Sequence, residues 1–231
     1  MNVNEENIAK LDRRLAECRF EYAFIGGSVL SLLVSDASVD AIRVTKDVDL
    51  IMNIASRREY HNADGMLERL GFRHDTSDDA PICRWIYDGV VVDVLPMRED
   101  VLGWRSKWFE EALKSCETVP CGGRDVKIVS APYFVALKLE AFEDRGQHDF
   151  ISSTDFEDVI CLFNGRPAIV DEVSRCGELR GFLASKFAEY LSSPELEDAI
   201  DGFMQTEDDP DKRKALVLAA FKRIADMANR G

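Results

Sequence analysis

Nowhere in the 231-residue sequence does an apolar run approach the roughly 18 to 20 residues that a bilayer-spanning helix requires. Met1 to Arg14 mixes charge with polarity where a secretory leader is apolar. The expected location is therefore the cytoplasm, with no membrane partner. Zinc-type spacing is lacking too. Of the six cysteines (Cys18, Cys83, Cys116, Cys121, Cys161 and Cys176), the closest two have four residues between them and neither a nearby histidine nor a second cysteine pair. They read as reduced, partly buried thiols rather than a disulfide framework. Basic charge is scarce: 29 Lys and Arg stand against 43 Asp and Glu, a net charge of −14. Nonspecific binding of duplex DNA needs a basic surface to displace phosphate counterions, so that function is disfavoured. Residues 1–130 carry 17 basic and 23 acidic side chains, and residues 131–231 carry 12 and 20. Neither half is a basic module, which leaves only a local patch for an RNA. Internal repeats, low-complexity tracts and long linkers are missing as well.

What is present suffices for a folded core, because 46% of the residues are hydrophobic. Ile8, Leu11 and Leu15 recur at helical spacing within Asn2–Cys18. Tyr22–Ile25 predicts a strand that meets a tight turn at Gly26-Gly27-Ser28 and then a buried helix carrying Val29, Leu30, Leu32 and Leu33. Asp47–Met52 alternates acids with Val48, Leu50 and Met52, as in a strand that points both acids to one face. Arg57–Leu70 predicts a helix stopped at Gly71. Ile82–Tyr87 and Val90–Leu95, joined by Asp88-Gly89, predict a hairpin with a type I′ turn. Val126–Val129 is a further strand. From Ala131 onward the pattern is helical, at residues 132–144, 154–163, 167–176, 179–191, 194–204 and 210–229, with an acidic connection over residues 205–211. The fold class expected is α+β: a mixed sheet with helices, then a helical carboxy-terminal part.

Chemistry gathers around three acids. Asp47 and Asp49, two apart on one strand, repel each other unless a cation lies between them. Asp93, set in Val90-Val91-Val92-Asp93-Val94-Leu95, is a carboxylate that is expensive to desolvate alone. Oxygen-only donors of this kind suit Mg²⁺ and substrate phosphates. A turn at Gly26-Gly27 lets backbone approach a ligand, Ser28 adds a hydroxyl, and the following helix offers its positive end to phosphate. Arg43 and Thr45 stand just upstream as a cation and a hydroxyl, and Lys138 is a candidate to reach the phosphates from a later helix. Each residue also has a plainer reading. Asp47-Val48-Asp49 suits a solvated edge strand, Asp93 suits pairing with an arginine, and Lys138 suits an ordinary surface position. Asp155 suits a helix cap, and Asp158 suits pairing with Lys138 or Arg145. His148 reads as a solvated loop residue. Trp104 and Trp108, near Arg98, Arg105 and Lys107, suit helix packing better than base stacking.

In combination these residues resemble the nucleotidyltransferase superfamily of the polymerase β type: Gly27-Ser28 at a helix start, the pair Asp47 and Asp49 on the next strand, and Asp93 on a later one. Within it, Lys138-Leu139-Glu140-Ala141-Phe142, Arg145-Gly146 and Ser153–Val159 are similar to the AbiEii and MenT group. The resemblance spans about residues 22–165. It implies a catalytic core over residues 1–130 and a helical domain over 131–231 that completes the cleft for NTP and acceptor. It implies transfer of an NMP from an NTP to a hydroxyl, with release of pyrophosphate. Asp47, Asp49 and Asp93 would hold two Mg²⁺ ions, with Mn²⁺ as a substitute, and Lys138 with Asp155 or Asp158 would be further functional positions. The implied acceptor is tRNA, as in translation-blocking toxins with a cognate antitoxin. A protein hydroxyl, a small molecule and an inactive binding module are the alternatives.

Overall fold

The computed structural model describes residues 1–36, 42–97, 106–146, 148–205 and 208–230. The chain divides into two compact units, Met1–Leu32 with Arg43–Ser130, and Leu33–Ile42 with Ala131–Gly231. In the first, helix α1 (Val3–Leu15) is capped by Asn2, whose side chain accepts from the Glu5 amide at 2.9 Å, and it buries Ile8, Leu11 and Leu15. Strand β1 (Tyr22–Ile25) leads through Gly26 into a 3₁₀ turn (Gly27–Val29) and the short helix α2 (Leu30–Leu33). There follow β2 (Val48–Met52), α3 (Arg57–Arg69), β3 (Arg73–His74), β4 (Arg84–Tyr87), β5 (Val90–Pro96), α4 (Phe109–Lys114), β6 (Glu117–Cys121) and β7 (Arg124–Ile128).

Among the described residues these strands form one mixed sheet in the order β3-β4-β5-β2-β1-β7-β6. Strand β2 lies antiparallel to β1 and parallel to β5, so the two strands that carry the acids are neighbours. The β4–β5 turn has positive φ at both central residues, 46° at Asp88 and 78° at Gly89, as the type I′ geometry requires. Two strands had no sequence signal. β3 is two residues long, and β6 contains Pro120, which removes a ladder donor and confines it to the sheet edge beside β7. Strand β2 starts at Val48, so Asp47 lies just before it and not within it.

The second unit has no strand among its described residues. Its helices are α5 (Ala131–Asp144), α6 (Thr154–Gly165), α7 (Ile169–Ser174), α8 (Gly177–Tyr190), α9 (Leu196–Met204) and α10 (Pro210–Ala225), followed by a 3₁₀ segment (Asp226–Arg230) where a continuous helix was expected. Phe142, Phe150, Phe156 and Tyr190 meet as tilted and edge-to-face rings at the α5–α6 side of the core, and Phe163, Phe187 and Phe221 join α6, α8 and α10. The segment beginning at Leu33 belongs here because the Ser35 and Asp36 amides both donate to the Gly165 carbonyl at 2.9 Å, and Asp36 pairs with Arg213 at 2.9 Å. The cap of α6 is Ser153, whose hydroxyl accepts from the Phe156 amide at 3.3 Å. Asp155, a cap candidate from sequence, is the second residue of the helix and turns to other partners.

Candidate active site

Strand register builds the site. Arg84 of β4 lies opposite Asp93 of β5, Asp93 opposite Asp49 of β2, and Asp49 opposite Ile25 of β1. Four residues on four adjacent strands thus form one lateral row, Arg84, Asp93, Asp49 and Ile25, and the glycine turn begins one residue beyond it. Adjacent strands run about 4.8 Å apart, which fixes the spacing of the two carboxylates at their roots.

Gly26 has φ 73° and ψ −173°, a region open essentially to glycine alone. A Cβ at this position would fall 2.0 Å from Asp49 Oδ2. The sequence suggested a glycine for the approach of a ligand. In the structure, the group that approaches it is Asp49 itself. The Ser28 hydroxyl is buried and donates to the Ile25 carbonyl at 3.4 Å within the turn.

Asp47 is held from behind. Asn4, buried at the start of α1, donates through Nδ2 to the Arg43 carbonyl at 3.0 Å and accepts from the Thr45 amide at 3.0 Å. The Thr45 hydroxyl donates to the Asp47 carbonyl at 2.8 Å. Thr45, expected as a phosphate donor, here ties the loop that carries Asp47, and Arg43 contributes its carbonyl to the same clamp. Sequence reasoning missed Asn4, since an asparagine in the first turn of an amphipathic helix looks like an ordinary solvated residue.

It also missed Arg84 as a member of the site, although pairing of Asp93 with an arginine was the plainer reading. Arg84 Nε donates to Asp93 Oδ1 at 2.8 Å and Nη2 to Asp93 Oδ2 at 2.8 Å, a bidentate fork. The same Nη2 donates to Asp47 Oδ2 at 2.9 Å. The hydrogen bond to Asp93 first, and then the charges of Asp93 and Asp47, hold the guanidinium well above its ordinary pKa against the opposing effect of burial. Beside it, burial and then the charge of Asp93 push the Cys83 thiol up to about 11, so it stands as an inert neighbour.

Among the described residues no three His, Cys, Asp or Glu side chains are drawn together tightly enough to ligate one ion. The donor chemistry nevertheless fits a hard cation. Asp47 and Asp93 each direct an Oδ2 oxygen to one nitrogen of the Arg84 guanidinium, which stands in for a hard cation, and Asp49 occupies the adjacent place in the row.

The remaining candidates lie in the second unit and form a cluster of their own. Lys138 Nζ reaches Asp155 Oδ1 at 2.9 Å and Asp158 Oδ2 at 2.6 Å, and Arg145 Nε reaches Asp155 Oδ2 at 2.8 Å. Lys138, Asp155 and Asp158 are all buried. Burial works to raise the Asp155 carboxyl, but the Arg145 hydrogen bond and the Lys138 charge outweigh it and leave the pKa lowered. Burial likewise opposes the charge on Lys138, and the two aspartates outweigh it, leaving its pKa raised. The expected pairing of Asp158 with Lys138 is present. Lys138 is therefore not a surface lysine but the centre of a buried network joining α5 to α6. His148 packs its ring edge-on against Phe142. Trp108 is buried at the start of α4 with Lys107 over its ring, as helix packing requires, while Arg98, Trp104 and Arg105 lie outside the described residues.

Neither a protein-family model nor a curated protein matches the chain. Among solved structures it is similar to an antigenic nucleotidyltransferase-like protein from Paracoccidioides brasiliensis, with 20% identity over 95% of this chain and 92% of that one and a TM-score of 0.54. The antibiotic-resistance factor ANT(2'')-Ia and JHP933 from Helicobacter pylori each match at 14% identity and a TM-score of 0.44, over 98% and 100% of this chain and 95% of each of theirs. The first of these likenesses establishes the fold: an α+β, nucleotidyltransferase-like arrangement of mixed sheet and helices.

Proposed function

We propose that this chain is a metal-dependent nucleotidyltransferase that moves an NMP from an NTP to a hydroxyl acceptor and releases pyrophosphate, with tRNA as the acceptor. The observation that carries the reading is the lateral row: Asp93 and Asp49 side by side on parallel strands, Asp47 joined to Asp93 through one shared cationic nitrogen, and Gly26 shaped around Asp49. Asp47, Asp49 and Asp93 would hold Mg²⁺, or Mn²⁺ in its place. Bound there, the metal supplies a lowered pKa for the attacking hydroxyl and neutralises the charge of the leaving pyrophosphate. The acceptor oxygen would attack the α-phosphorus, the bond from that phosphorus to the bridging oxygen would break, and Asp93, once released by Arg84, would take the acceptor proton. Asn4 and Thr45 fix the backbone of residues 43–47, so that Asp47 is oriented before substrate arrives. The resemblance to the AbiEii and MenT group supports tRNA, together with a toxin role and a cognate antitoxin. The acidity of both halves of the chain favours a second reading, a protein or small-molecule acceptor.

The test is incubation with each NTP labelled at the α-phosphate, Mg²⁺, and either total tRNA or total cell protein, followed by a denaturing gel. Label on tRNA is expected, lost in the Asp47→Ala, Asp49→Ala double variant, which should also lose any rise in melting temperature on adding Mg²⁺. Label on protein would replace the acceptor. Persistence of label in the double variant would remove these residues from the chemistry.

A further inference from the structure

The Arg84 guanidinium occupies two acids at once. Its Nη2 lies 2.9 Å from Asp47 Oδ2 and 2.8 Å from Asp93 Oδ2, and its Nε closes the fork on Asp93 Oδ1. The three side chains are partly shielded, with 26% of Arg84, 34% of Asp47 and 12% of Asp93 exposed, so their attraction is less screened than that of a surface pair. The backbone of Arg84 is not free to withdraw. It is the direct cross-strand partner of Asp93, in a hairpin whose register the Asp88-Gly89 turn fixes. Only the side chain can leave, by rotation about its own bonds. The oxygens it holds are the ones a divalent ion shared by Asp47 and Asp93 would have to take.

Resting on the metal-dependent reading above, we infer that Arg84 is a built-in counter-cation that competes with the divalent ion for Asp47 and Asp93. In the metal-free protein it neutralises the repulsion between the acids and holds them in position. Metal binding requires its Nη2 to let go of Oδ2 on both Asp47 and Asp93, so Arg84 sets the threshold for uptake of the ion. A triphosphate lowers that threshold, because it brings anionic oxygens to which a displaced guanidinium can turn. The free ion is therefore bound weakly, and the ion together with an NTP is bound well.

The experiment is a titration of the purified full chain with Mn²⁺ alone, read as loss of the free-ion EPR signal, in the natural protein, Arg84→Gln, Arg84→Lys and Asp93→Asn. Arg84→Gln is expected to bind Mn²⁺ about tenfold more tightly or better, the scale of one charged hydrogen bond withdrawn from competition. Arg84→Lys keeps the charge and protects the fold, but its single ammonium cannot reproduce the fork on Asp93 while reaching Asp47, so its affinity should fall between the two. Asp93→Asn should lose the ion. In Arg84→Gln, melting without metal should drop and return on adding Mn²⁺. If Arg84→Gln fails to fold, the shift in Arg84→Lys decides. Unchanged or weaker affinity in the Arg84 variants, with Mn²⁺ still bound by the natural protein, overturns the competition and leaves the transferase reading standing. No uptake of Mn²⁺ by any of them overturns both.

Discussion

Gly26 shows how a single residue ties backbone to chemistry. Its φ of 73° and ψ of −173° would cost a residue with a Cβ about 1–3 kcal/mol. The added atom, 2.0 Å from Asp49 Oδ2, would also drive that carboxylate out of the row. Gly26→Ala should therefore destabilise by at least that amount and abolish nucleotidyl transfer. Gly123→Ala is the control. It also has a positive φ, 77°, but nothing lies within 4 Å of its Cβ, so it should lose stability and keep transfer. Denaturant melts and the labelling assay on both variants separate the two effects, and full activity in Gly26→Ala would end the assignment. At this scale the sequence was legible in part. Asp49, Asp93 and the glycines stood out because acids among β-branched residues and a double glycine are locally costly and so conspicuous. Arg84 was also within reach: with a two-residue turn at Asp88-Gly89, Tyr87 pairs with Val90, and counting outward places Arg84 against Asp93. Asn4 was not, since its partners at residues 43 and 45 come from a distant segment.

Between elements of the second unit, a buried polar network pins α5 to α6. Lys138→Met would leave Asp155 with the largely exposed Arg145 and deprive buried Asp158 of the Lys138 ammonium. Removing one partner of a buried pair costs about 3–5 kcal/mol. The pH dependence follows from the two directions of shift. Asp155 is lowered on folding, so its contribution is present above the ordinary carboxylate range near pH 4 and is lost as pH falls through the folded value. Lys138 is raised, so its contribution is full below its ordinary value near pH 10 and is lost as pH rises through the folded one. The stability gap between natural protein and Lys138→Met should thus be widest at neutral pH and shrink as Asp155 protonates. Urea melts from pH 7 down to well below the ordinary carboxylate value near pH 4 measure it, and a gap that stays equal throughout would assign the loss to packing alone. The helices of the second unit were read correctly in outline because their apolar faces repeat at helical spacing, whereas α4 was not read. The cap was misplaced because Ser153 and Asp155 are both capping residues two positions apart. What decided between them was non-local: Asp155 is drawn to Lys138 and Arg145, and Ser153 is left to the helix end. Strand β6 escaped notice for the converse reason, since Glu-Thr-Val-Pro-Cys owes its place to pairing with β7 rather than to its own pattern.

For the whole molecule the governing quantity is charge. A net −14, with excess acid in both halves, means that a polyanionic acceptor meets repulsion at long range and attraction only where cations are locally concentrated. Salt acts oppositely on these two terms. It screens the repulsion, with a Debye length of about 8 Å at physiological strength, and it weakens direct phosphate contacts through counterion release. A protein that grips nucleic acid by 6–10 phosphate contacts loses about 10³–10⁵ in affinity between 50 and 200 mM salt. With tRNA as the proposed acceptor and no overall excess of basic charge, the efficiency of transfer at sub-saturating concentrations is expected to change by less than about tenfold over the same range. A small uncharged acceptor should show almost no dependence. Initial labelling rates at three salt concentrations, with Mg²⁺ held constant, distinguish the cases. A fall of several hundredfold would mean that recognition depends on a concentrated basic groove, and the acidic total would then be irrelevant to the acceptor. A flat response would place recognition in shape, in hydrogen bonding to the terminal hydroxyl and in the metal-held triphosphate, where an acidic protein can act on RNA without gripping its backbone.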